Sequence, residues 1–196
     1  GFFDVIKAKQ ILDLVEKDGD TTTGFQDSRD FMVVNCIKEV RHNNEELFTI
    51  EREIKKLMKT LPYKLETMKG VDFVTAAALT AEIGDINRFA SADKLAKFAG
   101  ICPISHSSGD TEKNIRNKFG NRRLHYIFQG IAARNINAGR NKDTPVNGIF
   151  YEYYHKKLSE GKTTNQAIKS VMRRIVNIVY GMMKNGTEYV HRERSI

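Results

Sequence analysis

Gly100-Ile101-Cys102-Pro103-Ile104-Ser105-His106-Ser107-Ser108-Gly109 opens a stretch in which no helical period can be followed. It continues through a polar segment and closes with Lys118-Phe119-Gly120-Asn121-Arg122-Arg123-Leu124. The chain on either side reads as helix, so this stretch sets a mainly helical fold with one irregular interruption. Within it, Ser105, Ser107 and Ser108 stand between Pro103 and Gly109. From Lys113 to Lys142 there are eight Lys or Arg and no Asp or Glu. Hydroxyls in a cationic field suit phosphodiester chemistry: a serine oxygen can attack phosphorus while cations offset the charge that builds up. The plainer alternative is a Ser/Gly/Asn turn before a helix. A short two-stranded ribbon, with the Ser105–Ser108 side paired to Asn114–Asn117, is expected inside the stretch.

Composition narrows the partners. The chain has 196 residues, a formal net charge of +8 and a sequence pI ≈ 9.4. Such a balance favours an anionic partner, nucleic acid before a membrane surface. No apolar run approaches the length of a membrane span. The start, Gly1-Phe2-Phe3-Asp4, lacks the basic region and cleavage site of a signal peptide, and it lacks an initiator Met. It reads as an expression fragment whose Gly1 is a cloning scar. Cys36 and Cys102 lie far apart without metal-ligand spacing, and read as free thiols in a reducing cytoplasm.

Towards the N-terminus, residues 2–17 place Phe2, Val5, Ile6, Ile11, Leu12 and Val15 near one face, the pattern of a short amphipathic helix. A polar loop to Asp27 follows. Over Ser28–Leu61, Val33, Val40, Leu47, Ile54 and Leu61 recur every seven residues, with Ile37, Asn44, Glu51 and Met58 as a companion seam. This predicts a long helix that self-associates as a coiled coil, ended by Pro62. An ordinary surface helix is the competing reading. Gly70-Val71-Asp72 then leads into an Ala-rich helix ending at Gly84, and resembles half of a helix-hairpin-helix element. There a glycine lets main-chain N–H groups approach a phosphate at a helix N-terminus, although Asp72 could simply be an N-cap. Ser91 is expected to cap a short helix from Ala92 to Ala99, ended by Gly100.

Towards the C-terminus, Asn121 is expected to cap a helix through about Ala138, burying Leu124, Ile127, Phe128, Ile131 and Ala132. Arg122 and Arg123 in its first turn oppose the helix dipole, an arrangement that a bound anion would relieve. Residues 139–143 form a basic loop carrying Arg140 and Lys142. Thr144-Pro145 reads as an N-cap with Pro at the first helical position. That helix carries Ile149, Phe150, Tyr153, Tyr154 and Leu158 and ends at Gly161. Tyr151, Tyr153 and Tyr154 serve core and rim packing more readily than base stacking. A last helix from about Asn165 to Lys184 buries Ile168, Val171, Met172, Ile175, Ile178, Val179 and Met182, with Lys169, Arg173 and Arg174 outside. Residues after Gly186 read as a frayed basic tail.

The pattern Gly100-x-x-Pro103, Ser108-Gly109, Lys118-x-Gly120-Asn121-x-x-Leu124 resembles the C-terminal domain of the DEDD transposases of the one-hundred-and-ten family of bacterial insertion sequences, which are RNA-guided serine recombinases. The likeness runs from about Met68 to about Tyr189 and takes in Gly84-Asp85, Phe89 and Val179-Tyr180-Gly181. It implies a mainly α chain: a helical, coiled-coil-like linker at 1–62, then a compact helical transposase domain at 63–196. That domain would hold the helix-hairpin-helix-like element and the short β-ribbon. The resemblance also implies an N-terminal RuvC-like nuclease domain, absent from this chain, whose four acidic ligands hold Mg²⁺. No cofactor is expected in the chain itself. Many members carry Arg after the leucine where this chain has His125, which puts a phosphate contact at that position in doubt.

The family's nucleophilic serine directly precedes the glycine and so maps to Ser108; only the resemblance separates it from Ser107. His106, two residues away on an extended segment, is a candidate base, with a solvated loop histidine as the alternative. Gly70, Arg116, Lys118, Gly120, Asn121, Arg122, Arg123, Arg140 and Lys142 are the expected nucleic-acid contacts, and the expected metal ligands are none. Glu39, Glu45, Glu46, Glu51 and Glu53 run along the long helix as solvated charges. The expected partners are DNA, a guide RNA and further copies of the chain joined through the 28–61 helix, with no membrane, in the bacterial cytoplasm at the nucleoid. The isolated chain is expected to bind nucleic acid without turnover. The rival readings are a non-catalytic helix-hairpin-helix nucleic-acid-binding module and a coiled-coil interaction protein with an incidental basic surface.

Overall fold

The computed structural model describes residues 13, 25–102, 104–108, 111–115, 120–137 and 145–190, with 104–108 and 111–115 described by backbone alone. The described residues are mainly α-helical, with six α-helices, two short 3-10 turns and one two-stranded ribbon. The helices are α1 (Gln26–Lys59), α2 (Phe73–Ile83), α3 (Ala92–Phe98), α4 (Arg122–Ile136), α5 (Gly148–Ser159) and α6 (Thr164–Asn185). The strands are β1 (Ile104–Ser108) and β2 (Thr111–Ile115). The chain divides into two compact units, Gly1–Arg52 and Glu53–Ile196. The amphipathic helix expected at 2–17 lies outside the described residues.

Helix α1 buries no residue along its length. Val33, Ile37, Val40 and Leu47 of the sevenfold seams are about half exposed, and Phe31 and Phe48 more so. A 34-residue helix at about 1.5 Å per residue is ~51 Å long. Water-facing apolar positions at this spacing make an unpartnered stripe.

The second unit is built around α6, against which α3, α4 and α5 all pack, while α2 packs on α4. The core follows from sequence periodicity. Leu124, Phe128, Ile131 and Ala132 of α4 meet Val171, Ile175, Val176 and Val179 of α6, and all are fully buried. Leu79 and Ile83 of α2 and Leu95 of α3 close the same core. Local chemistry sets the helix starts. Asp72 accepts from the Thr75 N–H at 2.7 Å, Ser91 from Lys94 N–H at 3.4 Å, and Asn121 from Leu124 N–H at 2.9 Å. Thr163 and Gln166 form a reciprocal capping box at the start of α6.

Three sequence expectations give way here. Helix α5 starts at Gly148 with Asn147 as its cap, not at Pro145 after Thr144. Asn147 is buried, accepts from the Phe150 N–H at 3.4 Å and donates to the Tyr189 hydroxyl at 3.4 Å, so tertiary contacts displace the proline signal. The segment after Gly186 is held down as far as Tyr189. The Tyr189 N–H donates to Thr67 Oγ1 at 2.9 Å, and Lys64 Nζ pairs with Glu188 at 2.8 Å. Finally, β1 and β2 pair antiparallel with Ser105 opposite Asn114 and Ser108 opposite Thr111, three residues tighter than the expected register. Only Gly109-Asp110 separates the strands, the short Gly-containing connection that hairpins favour.

Candidate nucleic-acid interface

Gly100 and Gly120, which flank the ribbon in sequence, lie against each other. An ideal Cβ on Gly120 would lie 2.3 Å from Gly100 N and 2.4 Å from Gly100 Cα, so the two glycine backbones are in direct contact. Gly100 has φ +67, a conformation that side chains disfavour. The Asn121 N–H donates to the Phe98 carbonyl at 2.7 Å, and His125 Nδ1 lies 3.1 Å from the Ala99 carbonyl. A carbonyl can only accept, so Nδ1 carries the proton there. These contacts clasp the base of the excursion between 100 and 120. Ser108 is the last residue of β1, at the end where the strands turn. Five residues at about 3.3 Å each make a ribbon ~17 Å long. His106 falls opposite Lys113, and Ser107 opposite Glu112. With Asp110 and Glu112 in it, the ribbon is of mixed charge, although the basic run starts at Lys113.

Helix α4 starts just after the Gly120 contact. Arg122 and Arg123 in its first turn are both exposed. The fold brings an acid to this point. Glu82 at the end of α2 accepts from Asn121 Nδ2 at 2.8 Å and lies 3.7 Å from Arg123 Nη1. The side chain of Glu82 is 22% exposed and that of Arg123 is 88% exposed. The pair is therefore weak, and Arg123 remains largely in water. Asn121 uses its oxygen as helix cap and its amide on Glu82, while Gly120 is half-buried against Gly100. Both thus have roles inside the fold.

Gly70 sits at φ +78, and a Cβ there would come within 2.4 Å of Asn135 Nδ2. Asn135 is fully buried and donates to the Lys69 carbonyl at 3.0 Å and the Ile131 carbonyl at 2.8 Å. Arg134 donates to the Gly70 carbonyl at 2.8 Å and to Thr75 Oγ1 at 3.1 Å. The glycine is thus required where the turn before α2 seats on α4. Hydrogen bonds from Thr75, side chain first and then backbone, hold the Asp72 carboxyl below its usual pKa. Burial raises the Cys102 thiol above its usual value.

The side chain of Ser108, and Arg116, Lys118, Arg140 and Lys142 entirely, lie outside the described residues. Gly70 and the Gly120–Arg123 group are placed, at separate ends of α4. Sequence reasoning missed Glu82, Arg134 and Asn135. Glu82 is 39 residues from Asn121 and Asn135 is 66 from Lys69, so no local spacing could have paired them. Among the described residues no group of three His, Cys, Asp or Glu is placed to hold a metal ion.

Comparison with known proteins adds the class. Residues 63–145 match the model of the IS116/IS110/IS902 transposase family, a span that contains the Gly70 turn, the clasp and the ribbon. The chain is 29% identical over 166 residues to the 43.6 kDa protein of insertion element IS110 from Streptomyces coelicolor, covering 83% of this chain and 39% of that protein. It is 31% identical over 139 residues to the 44.8 kDa protein of insertion element IS116 from Streptomyces clavuligerus, covering 69% and 33%. The pilin gene-inverting protein of Moraxella lacunata is 26% identical over 160 residues, covering 78% and 48%. Segment 63–145 is thus similar to the IS116/IS110/IS902 transposase family. The chain spans less than half the length of each of these relatives. No described helix is long and apolar enough to cross a membrane.

Proposed function

We propose that this chain acts within a longer insertion-sequence transposase, binding DNA and a guide RNA and supplying Ser108 as the nucleophile for strand cleavage and exchange. What carries the reading is the location of Ser108. It stands at the turn end of a ribbon whose base is clasped by Gly100 and Gly120, inside the family-matched segment. In the step proposed, Ser108 Oγ bonds to phosphorus and the bond from phosphorus to the departing deoxyribose oxygen breaks. The serine proton passes to a neighbouring base or solvent, and the departing oxygen takes up a proton. The phosphoserine link keeps the energy of the broken bond for rejoining. Arg116, Lys118, Arg122, Arg123, Arg140 and Lys142 contact phosphates and give a sequence-independent, salt-dependent affinity. The two domains are the linker at 1–62 and the serine-bearing domain at 63–196. Copies associate through the 28–61 stripe, and the longer protein works on the bacterial nucleoid with Mg²⁺ held by a RuvC-like domain.

The test uses the full-length transposase with its nucleic acids and Mg²⁺. Ser108→Ala is expected to abolish covalent protein–DNA adducts on a suicide substrate while leaving DNA affinity nearly unchanged, because phosphate contacts dominate that affinity. Peptide mapping of the wild-type adduct should return Ser108. An adduct on Ser107 or on a tyrosine would refute the assignment. Full transposition by Ser108→Ala would favour the non-catalytic helix-hairpin-helix module instead.

A further inference from the structure

A cavity of 280 Å³ lies at the entry to the second unit, lined by Lys55, Met58, Lys59, Tyr63, Leu65, Glu66 and Phe73. Its floor is aromatic and apolar. Phe73 opens α2 and Tyr63 stands just before the first 3-10 turn, both half-buried. Lys55 Nζ lies 5.4 Å from the centroid of the Phe73 ring, within cation–π range. Val74, next to Phe73 in the chain, is 55% exposed.

Charge selects the occupant. From Lys55 to Lys69 the chain has five lysines and one acid, Glu66. Lys56 pairs with Glu53 and Lys64 with Glu188, each at 2.8 Å, so the cavity's own charge is Lys55 and Lys59 set against Glu66. The volume is just under the roughly 300–1,000 Å³ of drug-sized sites, which suits one flat ring rather than a whole small molecule. An aromatic face flanked by ammonium groups is the arrangement that holds an unpaired base by stacking while its neighbouring phosphates meet the cations. Asp72 at the α2 N-terminus is anionic and repels a phosphate from that side, which leaves the lysine side for the backbone.

We infer that this cavity binds an unpaired base of single-stranded nucleic acid, stacked on Phe73 with its phosphates on Lys55 and Lys59. The site is separate from the Ser108 ribbon and does not depend on the serine's chemistry. It makes the junction at residues 55–73 a single-strand reader at the other end of α4 from Arg122 and Arg123.

The chain has no Trp, so Phe73→Trp introduces a lone indole at the floor of the cavity. The probe is an unstructured oligothymidylate, with a blunt duplex of equal length as comparison. Indole emission from the Phe73→Trp variant is expected to be quenched saturably by the single strand and much less by the duplex. Phe73→Ala should weaken single-strand binding at least about fivefold, the low end for loss of one stacked base. Lys55→Gln with Lys59→Gln, in the otherwise native chain, should reduce the salt slope of single-strand binding by about 1.4, from ~0.7 per phosphate contact. A thermal melt checks that each variant is folded. Single-strand binding that leaves the indole emission unchanged would overturn the proposal, as would equal quenching by duplex or no change in salt slope. None of these outcomes bears on adduct formation by Ser108, so the two readings fail separately.

Discussion

Gly120→Ala is the most discriminating single change in this structure. The added methyl would sit 2.3 Å from Gly100 N, 2.4 Å from Gly100 Cα and 3.0 Å from the Ala99 carbonyl carbon. All three obstacles are backbone, so no rotamer change relieves the clash. Either the clasp opens or α4 moves off the end of α3. Overpacking of this kind costs about 1–3 kcal/mol, and a purely backbone clash belongs at the upper end, about 3 kcal/mol. For a chain of this size each kcal/mol moves the melting temperature by roughly 2–4 °C, so a fall of ~6–12 °C is expected. Gly181→Ala supplies a control of opposite sign. Gly181 lies inside α6, and a methyl added there would meet nothing within 4 Å, so alanine should stabilise by about 0.5–1 kcal/mol. Circular dichroism melts of the two variants beside the parent chain decide the matter. A Gly120→Ala protein melting within about 2 °C of the parent would refute the clasp, since a shift that small corresponds to under ~1 kcal/mol.

Replacing Leu47 and Ile54 with lysine should turn self-associated chain into monomer in sedimentation velocity, because it charges the stripe at two seam positions; a parent chain already monomeric at high concentration would defeat this. Asp72→Ala should cost about 1 kcal/mol at neutral pH by removing the α2 cap. The folded Asp72 pKa is lowered by the Thr75 hydrogen bonds, so its stabilisation is present above the unfolded value and is lost as pH falls through the folded one. The gap in melting temperature between parent and Asp72→Ala should therefore close in strong acid, and a gap that widens there would contradict the assignment.

Helices were legible where apolar spacing and a cap agreed. The Leu124–Ala132 stripe with Asn121 before it gave α4, and the apolar spacing from Ile168 to Met182 put the start of α6 at about Asn165, one residue from Thr164. The sequence misled where a strong local signal met a stronger tertiary one. Pro145 argued for a helix start, but Asn147, buried and tied to Tyr189, is the cap. The tail after Gly186 has a disordered composition, yet Thr67 and Lys64 lie where Tyr189 and Glu188 can reach them. The glycines at 70, 100 and 120 stood out in the sequence. Their reason is steric contact with residues distant in the chain, which no periodicity encodes. The acid beside the basic helix start was invisible for the same reason, since a charge count along 113–142 cannot register Glu82.

The Lys64–Glu188 pair and the Tyr189–Thr67 hydrogen bond bring two points more than a hundred residues apart in the chain side by side. A module whose entry and exit touch can be spliced into a loop of another protein without stretching its host. It can equally be permuted, with residues near 64 and 188 joined and a new opening cut at an exposed turn. For the helical core this means that its neighbours in a longer chain are mechanically interchangeable. Whatever precedes residue 64 and whatever follows residue 188 depart from one corner.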